Sequence, residues 1–167
     1  MQAIIALGSN LGQPDHNLRE AASHLGALSS EPLRVSSIWR TAPVGFVDPA
    51  PEFSNAVAIV ETGMDGITLL AELQAIEIAM GRERPAGTAL SSRTIDLDLI
   101  DLGGQVMMTS FLTLPHPRAH VRRFVLEPLR ELEPGFQFVN RKENLAMLIA
   151  EAPADPVRRF SRLSLSD

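Results

Sequence analysis

The chain has 167 residues, a net charge of −5, and an ordinary share of hydrophobic (45%) and charged (21%) residues. Its length suits one domain with its own core, so we expect a single domain over residues 1–167. The absence of cysteine excludes disulfides, thiol catalysis and cysteine-bound metals, and the negative charge argues against a nucleic-acid partner. No apolar run approaches the roughly 20 residues of a membrane span, and the N-terminus lacks the features of a secretory signal. We therefore expect a cytoplasmic protein with no membrane partner.

Apolar periodicity and turn residues predict the order of the secondary structure. The predicted elements are a strand over 3–7, a helix over 14–28, strands over 33–39 and 55–61, a helix over 65–81 and a strand over 94–102. A proline-rich loop separates the second and third strands. The pair Gly103-Gly104 is expected to turn the fourth strand back into 105–108 as a hairpin. Two short helices over 124–132 and 143–150 and an edge strand over 157–163 are expected to follow.

The order strand, helix, strand, strand, helix, strand is that of the split βαβ arrangement. It predicts an α+β fold with a ferredoxin-like βαββαβ core, in which an antiparallel sheet is covered by helices on one face. The hairpin and the short C-terminal helices would be additions to that core.

The segment Arg93-Thr94-Ile95-Asp96-Leu97-Asp98-Leu99 is the strongest indication of chemistry in the sequence. Since alternate side chains of a strand point to opposite faces, Asp96 and Asp98 share a face and lie ~7 Å apart. Their like charges repel unless a cation lies between them, and Mg²⁺ is usually held by one or two carboxylates together with nucleotide phosphates. The solvated face of an amphipathic strand has the same pattern, so the aspartates alone leave both interpretations open.

Arginines flank this strand in the sequence. They are Arg82, Arg84 and Arg93 before or at its start, and Arg118, Arg122 and Arg123 further along. Guanidinium groups hold phosphate oxygens in bidentate fashion, and carboxylates for a metal with arginines for phosphates are what nucleotide phosphoryl transfer needs. The alternative is a set of scattered surface arginines.

Four further residues are candidates for ligand contacts. His116 lies between two prolines, which restricts its backbone, and Asn55 stands in an otherwise apolar strand where a buried amide needs partners. Phe53 and Phe124 could stack on a ring. Each of the four has a structural alternative, as a hydrogen-bonded or core residue. The glycines of Gly8-Ser9-Asn10-Leu11-Gly12 do not form a Walker loop, because the lysine that follows in such loops is missing.

Taken together, these segments resemble the 6-hydroxymethyl-7,8-dihydropterin pyrophosphokinase family from the first strand to about Glu133. The motifs that carry the resemblance occur in a fixed order: Ala6-Leu7-Gly8-Ser9-Asn10-Leu11-Gly12, Ser37-Ile38-Trp39-Arg40-Thr41-Ala42-Pro43-Val44-Gly45, Phe53-Ser54-Asn55-Ala56, Gln74, Ile76-Glu77, Gly81-Arg82-Glu83-Arg84, Arg93-Thr94-Ile95-Asp96-Leu97-Asp98, Leu114-Pro115-His116-Pro117-Arg118 and Arg122-Arg123-Phe124-Val125-Leu126.

The resemblance implies transfer of pyrophosphate from ATP to the hydroxymethyl group of 6-hydroxymethyl-7,8-dihydropterin in folate synthesis, by a protein expected to be a monomer. It implies that Asp96 and Asp98 bind two Mg²⁺ ions and form the catalytic set with Arg82 and Arg93. The residues implied to bind the pterin are Thr41, Ala42, Val44, Phe53, Asn55 and Phe124. Those implied to contact ATP are Gln74, Glu77, Arg84, Leu99, Thr113, His116 and Arg122.

Other interpretations differ in the chemistry that they expect. A non-catalytic pterin- or nucleotide-binding relative would bind the ligands without releasing AMP. A metal-dependent enzyme acting on another phosphate ester would not need the pterin residues Thr41 and Asn55, and neither would an unrelated interaction module.

The sequence departs from the family pattern in the loop that precedes the aspartate strand. Ala89-Leu90-Ser91-Ser92 stand where the family usually has tryptophan or asparagine followed by Gly-Pro. Phe53 replaces a common tyrosine, and Phe111 stands where some relatives have an arginine. None of these departures removes the metal pair, and the changes in the loop concern its contacts with ATP. We expect the polar loop over 82–92 to be a mobile lid that brings Arg82 to the phosphates.

Overall fold

The fold of this computed structural model, which describes residues 1–42, 51–81, 94–154 and 156–163, is an antiparallel sheet with helices on both faces. The strands are β1 (Gln2–Ser9), β2 (Arg34–Val35), β3 (Ile38–Thr41), β4 (Phe53–Glu61), β5 (Asp96–Leu102), β6 (Met107–Met108), β7 (Thr113–Leu114) and β8 (Val157–Ser161). The helices are α1 (Pro14–Leu28), α2 (Gly66–Ala79), α3 (Arg123–Leu132) and α4 (Leu145–Glu151), with a 3-10 turn over Ala119–Val121.

The main sheet has the order β5-β1-β4-β3-β8, and β2 also pairs with β4. All of these pairs are antiparallel. The four strands β5, β1, β4 and β3, with α1 and α2 connecting them, form the ferredoxin-like βαββαβ core that the sequence predicts. The α+β class is therefore confirmed.

The core helices α1 and α2 cover one face of the sheet, as predicted, but the C-terminal helices cover the other face as well. In β1, Ala3, Ile5 and Leu7 pack into the cluster beneath α1 and α2, whereas Ile4 and Ala6 pack into a second cluster with α3 and α4. Because β1 and β4 are apolar on both sides, both faces of the sheet need cover. The two C-terminal helices provide it on the second face, called here the α3 face.

The strand predicted over 33–39 is divided by a bulge at Ser36-Ser37. Arg34 pairs with Ile59 while Trp39 pairs with Asn55, so one extra residue lies on the β2–β3 side. The hydroxyl of Ser36 accepts the backbone N–H of Val57 (2.9 Å) and so replaces a ladder hydrogen bond.

The predicted hairpin between β5 and residues 105–108 is wrong. Met107–Met108 pairs with Thr113–Leu114 in a separate two-stranded sheet. The backbone N–H of His116 donates to the carbonyl of Ile100 (2.8 Å), so the chain after β7 takes a position beside β5. The alternation of faces is also interrupted within the strand predicted over 94–102, because a register shift at Ile100 turns the side chains of Leu99 and Leu102 to the same cluster.

The C-terminal elements lie close to where the sequence predicts them. Both short helices are present, and Val157–Ser161 forms an edge strand beside β3.

Gly81 has a positive φ of 88° just after the end of α2, as is typical of a glycine that ends a helix. Within the described residues, no helix is long and apolar enough to cross a bilayer.

Candidate active site

A row of register partners crosses four strands on the α3 face near the C-terminal end of β1. Asp96 of β5 pairs with Gly8 of β1, Gly8 pairs with Asn55 of β4, and Asn55 pairs with Trp39 of β3. Directly opposed residues of antiparallel strands project to the same face. With strands about 4.8 Å apart, Asp96 and Asn55 are separated by ~10 Å. The metal candidates and the pterin candidate therefore lie on one surface.

Asn55 is buried, with 4% of its surface exposed, and its amide orientation is set by neighbours. Nδ2 donates to Oγ1 of Thr41 at 3.0 Å, with longer contacts of 3.4 Å to the carbonyls of Trp39 and Phe53. Since the nitrogen is engaged with the protein, the carbonyl oxygen Oδ1 is turned toward Gly8. The amide is thus held in the orientation of a hydrogen-bond acceptor for a ligand above the sheet.

Because Gly8 has no side chain, only backbone atoms of β1 lie between Asp96 and Asn55 on this surface. A Cβ at Gly8 would lie 3.4 Å from Oδ1 of Asn55 and 3.9 Å from Cδ1 of Phe53. The glycines of the described residues with positive φ are Gly12, Gly81, Gly103 and Gly104, so backbone strain does not explain Gly8. Sequence reasoning assigned it no role, although a glycine inside an apolar strand signals a close approach.

Asp96 and Asp98 share the α3 face, as predicted, and each is partly exposed. Nη1 of Arg122 lies 3.9 Å from Oδ2 of Asp98, and the Arg122 guanidinium is 5.6 Å from the ring centre of Phe124. In the described residues, no group of three histidine or acidic side chains could hold a metal by itself. A pair of partly exposed carboxylates fits Mg²⁺ that is shared with nucleotide phosphates.

His116 is held in one orientation beside the aspartate strand. Its Nδ1 accepts the backbone N–H of Arg118 (3.2 Å), so the neutral ring carries its hydrogen on Nε2. Burial lowers the pKa of His116 to about 4, and the positive charges of Arg122 and Arg118 add to this against an opposing contribution from Asp96. The imidazole is therefore a neutral Nε2–H donor at physiological pH.

Two residues implied to contact ATP have buried side chains. Glu77 is 2% exposed, and its Oε2 accepts the backbone N–H of Leu97, between the two aspartates (3.1 Å). Its carboxylate supports β5 in this structure, and its contact with ATP stays a prediction. The side chain of Leu99 packs in the cluster beneath α1 and α2, so a contact with ATP would have to use its backbone.

The remaining candidates divide between those that are described and those that are not. Phe53, Thr41 and Phe124 lie on the α3 face, Ala42 is exposed just after β3, Gln74 is exposed on α2, and Thr113 is partly buried in β7. Val44, Arg82, Arg84 and Arg93, and the loop expected to form a lid, lie outside the described residues.

Comparisons with known proteins identify the family of this chain. The family model for 7,8-dihydro-6-hydroxymethylpterin-pyrophosphokinase (HPPK) matches residues 4–134. The 2-amino-4-hydroxy-6-hydroxymethyldihydropteridine pyrophosphokinase of Haemophilus influenzae is 40% identical over 131 residues, which cover 78% of this chain and 80% of the relative. The enzyme of that name from Pseudomonas aeruginosa is 35% identical over 160 residues, covering 95% and 96%.

Among solved structures, a Plasmodium falciparum HPPK-DHPS structure with pteroate matches with a TM-score of 0.72 at 14% identity. The match covers 90% of this chain and 44% of that one, so this chain spans less than half of the solved protein. At this identity the likeness shows the fold alone. The family model and the bacterial relatives show that this chain belongs to the 7,8-dihydro-6-hydroxymethylpterin-pyrophosphokinase family.

Proposed function

We propose that this chain transfers the pyrophosphoryl group of ATP to the hydroxymethyl group of 6-hydroxymethyl-7,8-dihydropterin and releases AMP, in folate synthesis. The observation that carries the proposal is the surface shared by Asp96, Gly8 and Asn55, where an amide that can read a heterocycle lies ~10 Å from a carboxylate pair. The relatives bear the name of a pyrophosphokinase, which agrees with this chemistry.

The pterin side of the surface would hold the acceptor hydroxyl in place. Asn55 and Thr41 would bind the edge of the ring, because their mutual hydrogen bond already orients both side chains. Phe53 and Phe124 would cover its faces from the sheet and from α3, and Ala42 and Val44 would also contribute to pterin binding. A preoriented hydroxyl lowers the entropic part of the barrier.

The nucleotide side would hold ATP beside the aspartates. Asp96 and Asp98 would hold two Mg²⁺ ions, which supply neutralisation of phosphate charge when bound. Arg122 would contact phosphate oxygens, and His116 would donate from Nε2. The other contacts that we propose to ATP are those of Gln74, Glu77, Arg84, Leu99 and Thr113, with Arg82 and Arg93 acting on the triphosphate.

The proposed reaction is a single in-line displacement. The pterin hydroxyl oxygen forms a bond to the β-phosphorus, the bond between that phosphorus and the α–β bridging oxygen breaks, and AMP leaves with the bridging oxygen. The hydroxyl proton is released to solvent. Positively charged groups around the triphosphate stabilise the charge that develops on its oxygens.

We further propose that residues 1–167 act as one pyrophosphokinase domain, in the cytoplasm and as a monomer. The two apolar clusters on either side of one sheet support the single domain. Gel filtration with light scattering tests the oligomeric state.

The test of the function is the production of AMP and pterin diphosphate from Mg-ATP and 6-hydroxymethyl-7,8-dihydropterin. We expect both products in equal amounts, only when both substrates are present. Formation of ADP, or AMP release without the pterin, would point to a different phosphate-ester chemistry. Binding of both substrates without AMP would favour the non-catalytic relative.

A further inference from the structure

Glu131, in the last turn of α3, gathers hydrogen bonds from the strands beside it. Its carboxylate accepts from the backbone N–H of Ser37 (3.0 and 3.2 Å), from the Ser37 hydroxyl and from Nε1 of Trp39 (3.2 Å). Arg159 of β8 lies 3.4 Å from the same carboxylate, and its Nε donates to Oγ of Ser37 (3.0 Å). We call Glu131, Ser37, Trp39 and Arg159 the clamp.

The clamp joins α3 to the strand that borders the pterin surface. Trp39 is the register partner of Asn55, and Thr41 is two residues further along the same strand on the same face. At its other end, about 10 Å from Glu131 along the helix, α3 carries Phe124. A proline inside the helix separates the two residues, so Glu131 does not fix the position of Phe124 rigidly. Glu131 acts on the pterin surface through β3, because its bond to Trp39 holds the strand on which Thr41 lies beside Asn55.

A second set of polar contacts holds the same end of α3, but it joins the helix to β2 rather than to β3. Arg34 of β2 donates to the carbonyl of Leu132 (2.6 Å) and forms an ion pair with Glu133. The partner of Arg34 in the sheet is Ile59, toward the opposite end of β4 from Asn55. This contact stabilises the helix end without touching the pterin surface, so it supplies a matched control.

We propose that Glu131 is a positioning residue for the pterin, and that Arg159 of the C-terminal strand acts through it. The inference rests on the proposed function and extends it. Residues 157–161 lie beyond the region 4–134 that the family model matches. The proposal therefore assigns part of substrate binding to a strand outside that region.

The decisive experiment compares Glu131→Ala, Glu131→Gln, Arg159→Met and Arg34→Ala in the full chain. Calorimetry measures the Kd of 6-hydroxymethyl-7,8-dihydropterin and of Mg-ATP separately, and thermal melting measures stability. We expect Glu131→Ala to raise the pterin Kd about tenfold with the ATP Kd nearly unchanged, since several charge-assisted bonds are lost. Glu131→Gln keeps an oxygen acceptor and should recover most of this loss. Arg159→Met should give a smaller rise in the same direction.

Trp39 gives a readout of the clamp itself, because it is the one tryptophan of the chain. Losing the bond from its indole N–H to Glu131 should shift its fluorescence emission in Glu131→Ala, and Arg34→Ala should leave the emission as it is. The emission spectrum thus reports whether the hydrogen bond between Trp39 and Glu131 has been lost.

Several results would overturn the proposal. One is a pterin Kd that is unchanged in Glu131→Ala, and another is an equal rise for pterin and ATP. A rise in Arg34→Ala as large as in Glu131→Ala would show a general stability effect. If Glu131→Ala does not fold, unchanged pterin binding in both Glu131→Gln and Arg159→Met refutes the idea. Failure of the unaltered chain to bind the pterin at all would instead refute the proposed function.

Discussion

Replacing Asn55 with alanine tests whether this amide reads the substrate or only supports the sheet. In the structure Nδ2 donates to Oγ1 of Thr41, and Oδ1 faces the bare backbone at Gly8. The substitution removes both functions from a site that is 4% exposed. We expect it to weaken pterin binding far more than ATP binding.

The magnitude follows from the groups left without a partner. A pterin N–H that enters the site and finds no acceptor costs about 1.4–2.8 kcal/mol, which corresponds to a pterin Kd raised about 10- to 100-fold. The lost bond to Thr41 costs about 1 kcal/mol of the free energy of unfolding. The Kd of Mg-ATP should change by less than about twofold, since Asp96 lies ~10 Å away.

Calorimetry with each ligand, together with thermal melting, measures these three quantities. The matched control is Ser54→Ala, on the same strand but the opposite face, where the hydroxyl donates to Asp15 (2.7 Å). It should lower stability and leave the pterin Kd as it is. Equal losses of pterin and ATP affinity in Asn55→Ala, or a pterin loss in Ser54→Ala of the same size, would make Asn55 a structural amide.

Three further predictions concern the nucleotide side of the site. Asp96→Ala or Asp98→Ala should lower AMP formation by about 10²-fold or more with little change in melting temperature, and full activity in either would refute the metal assignment. In metal-free protein, NMR titration should show that His116 stays neutral down to about pH 4. Between pH 6.5 and pH 4 the unfolded chain binds a proton at this ring and the folded protein does not, so the free energy of unfolding should fall as the pH is lowered through this range. The fall should be smaller in His116→Gln. Arg82→Ala should lower kcat about 10²-fold with a nearly unchanged Kd for Mg-ATP, and a loss of ATP affinity with unaltered single-turnover chemistry would contradict the lid.

The local signals in the sequence were sufficient for the elements and for the aspartate pair. Strand period, helix stripes and glycine stops depend on neighbouring residues, so β1, α1, α2 and the two C-terminal helices lie near their predicted positions. The shared face of Asp96 and Asp98 follows from the period of a strand alone. The family motifs are likewise linear patterns, and the family match over residues 4–134 confirms them.

Contacts between distant segments could not be read in the same way. The helices on both faces, the pairing of Met107–Met108 with Thr113–Leu114, and the bulge at Ile100 depend on which strands meet and in which register. The role of Gly8 likewise depends on strand register, because it is the pairing of β1 with β4 that places Asn55 opposite this glycine.

The chain by itself determined which side chains have the chemistry that a metal, a phosphate or a heterocycle needs, because that chemistry belongs to each side chain and its immediate neighbours. Only the tertiary structure decided that Asn55 donates to Thr41, that Glu77 supports the strand of the aspartates, and that Glu131 joins α3 to β3 and β8. These roles depend on partners from 14 to 92 positions away in the sequence. Such pairs are brought together when the apolar faces of the sheet are buried, and the residues next to either partner do not indicate which distant residue it will meet.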